Sequence, residues 1–207
     1  MRIQFMFLWY FPLLLISFFL APSGLSAVQV KISLPLPLST QHSVEGFDNA
    51  TLEGPSDFGV KVLTPVAEDT LMGLGMSKFT SRVVDGAGVS PKYTGVLEAI
   101  MFKLGVEYSG IELFQDFQLI LELTVDFPTG GPGRVEDADG VIISRAKSVS
   151  GSGYYASSAI RWGKLEGGFF FRNNHLNYGD MTIPARDTGK EISINFTSYG
   201  IVLSYVF

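Results

Sequence analysis

The chain ends in Ser198-Tyr199-Gly200-Ile201-Val202-Leu203-Ser204-Tyr205-Val206-Phe207. Taken in twos from the end, Phe207, Tyr205, Leu203, Ile201 and Tyr199 form an unbroken apolar and aromatic face. The alternate residues, Val206, Ser204, Val202 and Gly200, are smaller and partly polar. A period of two marks a strand whose faces meet different surroundings. Two environments produce it. In a soluble sandwich the greasier face meets a core. In the wall of a lipid-embedded barrel it meets hydrocarbon, with aromatics at the interfaces.

Composition narrows the choice. Of 207 residues, 46% are hydrophobic, 13% aromatic and only 17% charged, with 23 Gly. Such values fit a glycine-rich all-β chain and exclude disorder, which needs high charge and few aromatics. The length suits one domain. With no Cys, disulfides, cysteine-ligated zinc and an acylated lipoprotein cysteine are excluded. A formal charge of −5 provides no basic footprint for nucleic acid, so no nucleic-acid partner is expected.

The first residues read as an export signal. Arg2 is the only charge before Lys31, Phe5 to Leu20 is almost continuously apolar, and Leu25-Ser26-Ala27 supplies a small-residue cleavage context. The apolar run is shorter than the ~20 residues a membrane-spanning helix needs. A signal peptide over residues 1–27 and a mature domain over residues 28–207 are therefore expected.

Eight period-two segments follow. They are Val28 to Leu38, Asp57 to Thr64, Thr70 to Arg82, Val96 to Tyr108, Phe117 to Phe127, Ser152 to Trp162, Gly168 to Tyr178 and Glu191 to Phe207. The clearest is the fifth. Phe117, Leu119, Leu121, Leu123, Val125 and Phe127 share one face, with an aromatic at each end and aliphatics between, as a lipid-facing strand requires. Ser39 to Ser56, Val83 to Gly95, Pro128 to Gly151 and Gly179 to Lys190 read as long connections. Pro65 to Asp69, a turn at Ser109-Gly110 and Gly163 to Gly167 read as short ones.

Long and short connections thus alternate, as in a barrel with short turns on one side of a membrane and longer loops on the other. The terminal Phe207, with hydrophobic residues at alternate positions before it, resembles the C-terminal signature of bacterial outer-membrane β-barrel proteins. The whole mature chain resembles the small eight-stranded members of that group. The resemblance implies an all-β, eight-stranded antiparallel transmembrane barrel in the Gram-negative outer membrane. It also implies contact with outer-membrane lipid and lipopolysaccharide, and delivery to the barrel-assembly machinery through the strand ending in Phe207. A monomer with a structural or surface-interaction role is expected.

Eight strands enclose only enough room for their own side chains. The predicted inward set is Lys31, Asp57, Lys61, Lys103, Glu107, Glu122, Asp126, Arg161 and Arg172. These five positive and four negative groups favour a packed salt-bridge lumen over a narrow pore, since charges facing lipid are costly.

Candidate chemistry centres on two histidines. His42 falls in the first outer loop and reads as a solvated loop residue. His175 shares parity with Phe169, Phe171, Asn173 and Asn177, and Ser193, Asn195 and Thr197 share parity with Tyr199 and Phe207. Either these polar residues lie above the bilayer, or a bulge near Thr197 turns Ile192, Ile194 and Phe196 outward instead. His175-Leu176-Asn177, with Glu191 on the next strand, is similar to the C-terminal region of the PagL-like lipid A deacylases. That resemblance implies a catalytic histidine at His175 oriented by Glu191, with a serine nucleophile two residues after the histidine. This chain has Asn177 there, and an amide is no nucleophile. Ser193 on the adjacent strand is the substitute the chain offers. Glu136-Asp137-Ala138-Asp139-Gly140 lacks the twelve-residue calcium pattern and reads as an acidic solvated loop. No cofactor or metal is expected. Two glycosylation sequons, at Asn49 and Asn195, read as accidental.

Overall fold

A computed structural model describes residues 28–45, 51–84, 93–179 and 192–207. Residues 1–27, read above as a signal peptide, lie outside the described residues, as does Glu191. Ten strands are described: β1 (Gln29–Glu45), β2 (Thr51–Ala67), β3 (Thr70–Val84), β4 (Tyr93–Phe114), β5 (Phe117–Gly130), β6 (Gly133–Asp137), β7 (Ile142–Arg145), β8 (Ser148–Trp162), β9 (Leu165–Gly179) and β10 (Ile192–Val206). No described helix is long and apolar enough to cross a membrane.

All pairings are antiparallel, and the wall closes on itself in the order β1-β2-β3-β4-β5-β8-β9-β10. The stagger of this barrel can be followed rung by rung. Lys31 faces Lys61, then Gly75, Lys103, Asp126, Gly153, Asn174, Phe196 and finally His42, back on β1. The circuit returns eleven residues above its start, one of them the bulge between Pro37 and Ser39. Such a stagger tilts the strands roughly 35–45° from the barrel axis.

The upper strands run further than the sequence pattern suggested. β1 continues to Glu45, so His42 sits on a strand opposite Phe196 and not in a loop. The stretch read as the longest loop, Pro128 to Gly151, is mostly wall. β6 carries on from β5 along β4: Gly130 faces Ile100 and Gly133 faces Leu97, bridged by the Glu98 N–H donating to the Pro132 carbonyl at 3.0 Å. β7 runs back along β6 and leads into β8. The acidic segment is the tip of this hairpin, where Asp137 Oδ1 accepts the N–H groups of Asp139 and Val141 at 3.0 and 2.9 Å.

At the opposite end, Ser109-Gly110 is not the turn. β4 passes through it with a register shift, and the chain reverses at Gln115-Asp116, where Asp116 takes a φ of 78°. Every reversal at that end takes two residues, whereas the reversals at the other end, β1–β2, β3–β4, β6–β7 and β9–β10, each take four or more. The alternation read from the sequence therefore survives, with shorter outer loops and taller strands.

β10 keeps an unbroken register with β9 from Ile192 to Tyr205, so there is no bulge near Thr197 on that side. The apolar face instead changes sides along the barrel. Low on β10, Tyr199, Ile201, Leu203 and Tyr205 point outward; high on it, Ile192, Ile194 and Phe196 are buried inside.

The seam between β1 and β10 carries much of the closure. β1 pairs with β2 only from Gln29 to Ser33, and Pro35 and Pro37, which lack N–H donors, follow where that pairing stops. Above Ser33, β10 is the hydrogen-bonded neighbour of β1. Gly200 faces Pro37 at the bulge, where an added Cβ would meet the Leu36 carbonyl and lie 2.8 Å from Leu38 N and Pro37 Cα. These are backbone atoms and cannot rotate aside. Gly200→Val is expected to cost roughly 1–3 kcal/mol through overpacking. The readout is the fraction of protein whose gel mobility shifts on heating.

Candidate functional site

Two belts of exposed aromatics ring the lower barrel. Phe58, Phe127, Tyr154, Phe171 and Tyr199 form the upper belt, and Tyr108, Phe117, Trp162, Tyr205 and Phe207 the lower. Exposed aliphatics such as Val60, Leu104, Leu123, Ile160 and Leu203 fill the space between. Ten residue steps separate Phe117 from Phe127. At ~3.3 Å each and a tilt of ~40° they rise ~25 Å, the height of the apolar band of such barrels.

Inside this band the lumen is charged. Five cations, Lys31, Lys61, Lys103, Arg161 and Arg172, meet five carboxylates, Asp57, Glu107, Glu122, Asp126 and Glu166, among the described residues. All nine residues predicted inward are here. Lys31 Nζ lies 2.8, 3.1 and 2.6 Å from Glu107, Glu122 and Glu166. Arg161 reaches Glu107 and Glu166 at 2.5 Å each, and Arg172 reaches Asp57 at 2.5 Å. Lys103 pairs with Asp126 at 2.9 Å, and Lys61 with Glu122. Lys61 and Lys103 Nζ and the Arg172 guanidinium lie 5.5, 5.9 and 5.5 Å from the centre of the Tyr155 ring, within cation–π reach. Burying each ion costs several kcal/mol, which reciprocal pairing offsets.

Glu166 is the member that sequence reading missed, because Gly163 to Gly167 looked like a turn. β9 in fact starts at Leu165, and Glu166 faces Arg161 across the hairpin. Two signals pointed to it. It shares parity with inward Arg172, and without it the lumen had one cation too many.

Above the charges the interior becomes an apolar plug. Phe79, Leu97, Met101, Leu176, Tyr178, Ile192, Ile194 and Phe196 pack together, with Phe79 and Phe196 stacked at 4.8 Å. The Tyr178 hydroxyl donates to the Glu98 carbonyl at 3.2 Å. Among the charges, a space of about 20 Å³ is bordered by Asp57, Lys61, Lys103, Tyr155 and Arg172. That is room for roughly one water. Phe196→Ala is expected to cost about 3–5 kcal/mol, the usual range for emptying an aromatic site in a core. It would loosen the upper barrel first, read as faster proteolysis of the outer loops on intact cells.

Outside the plug the wall turns polar, so the upper barrel has the polarity of a soluble protein and the lower barrel its inverse. His175 lies on this outer face of β9, between Ser152 of β8 and Asn195 of β10, and Ser43 of β1 follows. One rung lower, towards the belt, Asn173 faces Thr197, and Gln41 follows. The three cross-strand pairs are bonded: Asn173 Nδ2 donates to Thr197 Oγ1 at 2.7 Å, Ser193 Oγ donates to Asn177 Oδ1, and His175 Nδ1 contacts Asn195 Oδ1. Of the candidate triad, then, His175 and Ser193 share this face on adjacent strands. The His175 ring is bonded to Asn195 and the Ser193 hydroxyl to Asn177. Across the barrel, β3 carries outward Lys78, beside Phe58 of the belt, and Arg82 above it, with Lys78 paired to Glu98 of β4 at 2.8 Å.

No family model matches the chain, and no curated protein matches it. Among solved structures, the chain is similar to Neisserial surface protein A, with 11% identity and a TM-score of 0.43, covering 87% of this chain and 99% of that one. It is also similar to the NanC porin, with 10% identity and a TM-score of 0.18, covering 86% of this chain and 99% of that one. The barrel itself is defined by its own closed strand register.

Proposed function

We propose that the protein is an integral outer-membrane barrel with a structural or surface-interaction role, exported by the signal peptide of residues 1–27. The observation that carries this reading is the inversion of polarity along the barrel axis. Aromatic belts and a charged lumen suit a wall in lipid, and a polar wall around an apolar plug suits a wall in water. The protein acts as a monomeric, filled pedestal that lifts its outer loops above the membrane. Lipopolysaccharide is the natural neighbour of its upper belt, and β10, ending at Phe207, is the strand through which the assembly machinery would receive it. Heat-modifiable migration on gels, co-fractionation with the outer membrane, and outer loops open to protease on intact cells are expected. Recovery as a soluble periplasmic protein would sink the reading. A packed lumen also predicts silence in planar bilayers; steady conductance there would favour a pore.

A second reading is a lipid A hydrolase built from His175, Glu191 and Ser193. Its support is that His175 and Ser193 face outward on neighbouring strands above the belt, within reach of an outer-leaflet lipid. Expression should then shift the mass of lipid A, and His175→Ala should abolish the shift. Identical spectra with and without the protein end this reading.

A further inference from the structure

The polar arc above the upper belt spans four strands, β8, β9, β10 and β1. Two rows of its outward positions, from Ser152 through His175 and Asn195 to Ser43 and from Asn173 through Thr197 to Gln41, hold amides, hydroxyls and one imidazole, and no Asp, Glu, Lys or Arg; the row above, through Asn177 and Ser193, ends at Glu45 on β1. A protein surface in water ordinarily carries charge at roughly a quarter to a third of its positions. The opposite wall does so above the belt, with Arg82 and Glu98, and carries Lys78 beside the belt residue Phe58. The neutral arc sits directly over the exposed rings of Tyr154, Phe171 and Tyr199.

Cross-strand bonds hold its amides in place. The Asn177 and Asn195 oxygens each meet a partner across the strand, which leaves both NH₂ groups directed away from those contacts as donors. Asn173 uses one N–H on Thr197 and keeps its oxygen as an acceptor. A fixed array of neutral donors and acceptors loses little side-chain entropy on binding. It matches sugar hydroxyls, each of which both donates and accepts. A phosphate calls for cations, which the arc lacks.

We infer that this arc is a docking surface for the saccharide headgroup of an outer-leaflet glycolipid. The glycolipid's acyl chains lie against the apolar band below, and its sugars hydrogen-bond with Asn173, Asn177 and Asn195. The inference rests on the outer-membrane reading. It assigns recognition to neutral groups, and gives the lysine and arginine of β3 no part in it.

The test offers the purified full-length protein equimolar lipopolysaccharide, bearing its core sugars, and phosphatidylglycerol, which is anionic but lacks them. Native mass spectrometry counts the bound lipid. The wild type should prefer lipopolysaccharide about tenfold, the worth of one or two net hydrogen bonds. The preference should fall to near parity in Asn173→Ala/Asn195→Ala and persist in Lys78→Ala/Arg82→Ala. If the double amide variant does not fold, the single Asn195→Ala replaces it, with a drop of severalfold expected. Equal binding by the wild type overturns the inference, as does a preference that survives loss of the amides or disappears only with Lys78 and Arg82. Fractionation of the wild type is read in parallel. An outer-membrane protein without a saccharide preference refutes the docking surface alone, and a wild type absent from the outer membrane refutes the underlying reading.

Discussion

Replacing Lys31 with methionine is expected to cost about 3–5 kcal/mol of barrel stability, the penalty for stranding buried charges. Lys31 is 2% exposed and its ammonium touches Glu107, Glu122 and Glu166 at once. Without it, Glu107 and Glu166 must share Arg161, and Glu122 keeps only Lys61. The three carboxylates then crowd a closed space with too few cations. Methionine fits the volume, so the loss would be electrostatic and not a cavity effect. Urea unfolding in lipid vesicles measures it. Combining Lys31→Met with Glu107→Gln should recover part of the loss, because removing one carboxylate lessens the imbalance. A Lys31→Met barrel within about 1 kcal/mol of wild type would mean that water reaches and screens these groups, and the lumen could not be the sealed ion network described above.

That network was largely legible in the sequence, and the reason is physical. In the lower barrel the outward face meets lipid, so any charge on a strand must point inward. Parity alone then places Lys61 or Asp126. Glu166 escaped because parity needs a strand to act on, and Gly163-Lys164-Leu165-Glu166-Gly167 looks like a turn. In the upper barrel the rule lapses, because water outside accepts polar residues without cost. Asn173, His175 and Asn177 still alternate with Asn174, Leu176 and Tyr178, but the hydrophobic face has moved to the other side. A reader following one greasy face sees it dissolve and infers a loop or a bulge. The top of the β5–β8 hairpin was hidden for a related reason. Its wall residues, Gly133 to Asp137 and Ile142 to Arg145, are too short and too polar to show a period, and only cross-strand pairing with β4 and with each other makes them strands. The outer-face site was half legible: shared parity put His175 and Ser193 on one face, but the bonds that tie them to Asn195 and Asn177 needed the register.

The inversion of polarity leads to the second large effect. Leu123→Arg should destabilise the barrel by about 2–4 kcal/mol in lipid vesicles, while Asn195→Arg should cost no more than about 1 kcal/mol. Leu123 is 59% exposed and lies between the aromatics Phe117 and Phe127, near the middle of the apolar band. An arginine there has no inward route, because the inward positions beside it on β5 are Glu122 and Thr124, already packed against the lumen. Its guanidinium must stretch towards an interface or drag water into the hydrocarbon. Asn195 is also outward and exposed, but it stands above Tyr199, beyond the upper belt. Arginine at that height meets headgroups and water. Both sites are single outward positions on long antiparallel strands, and Asn195→Arg also gives up the contact with His175, so a larger penalty at Leu123 reports depth. Depth dependence also separates this barrel from a soluble β-protein with a greasy surface. On such a protein both arginines would be solvated, and the two costs would be equal and small. Repeating the pair in detergent should shrink the Leu123 penalty, since a micelle admits water more readily than a bilayer. Equal costs in vesicles would remove the membrane from around Leu123, and with it the argument that the lower belts face lipid.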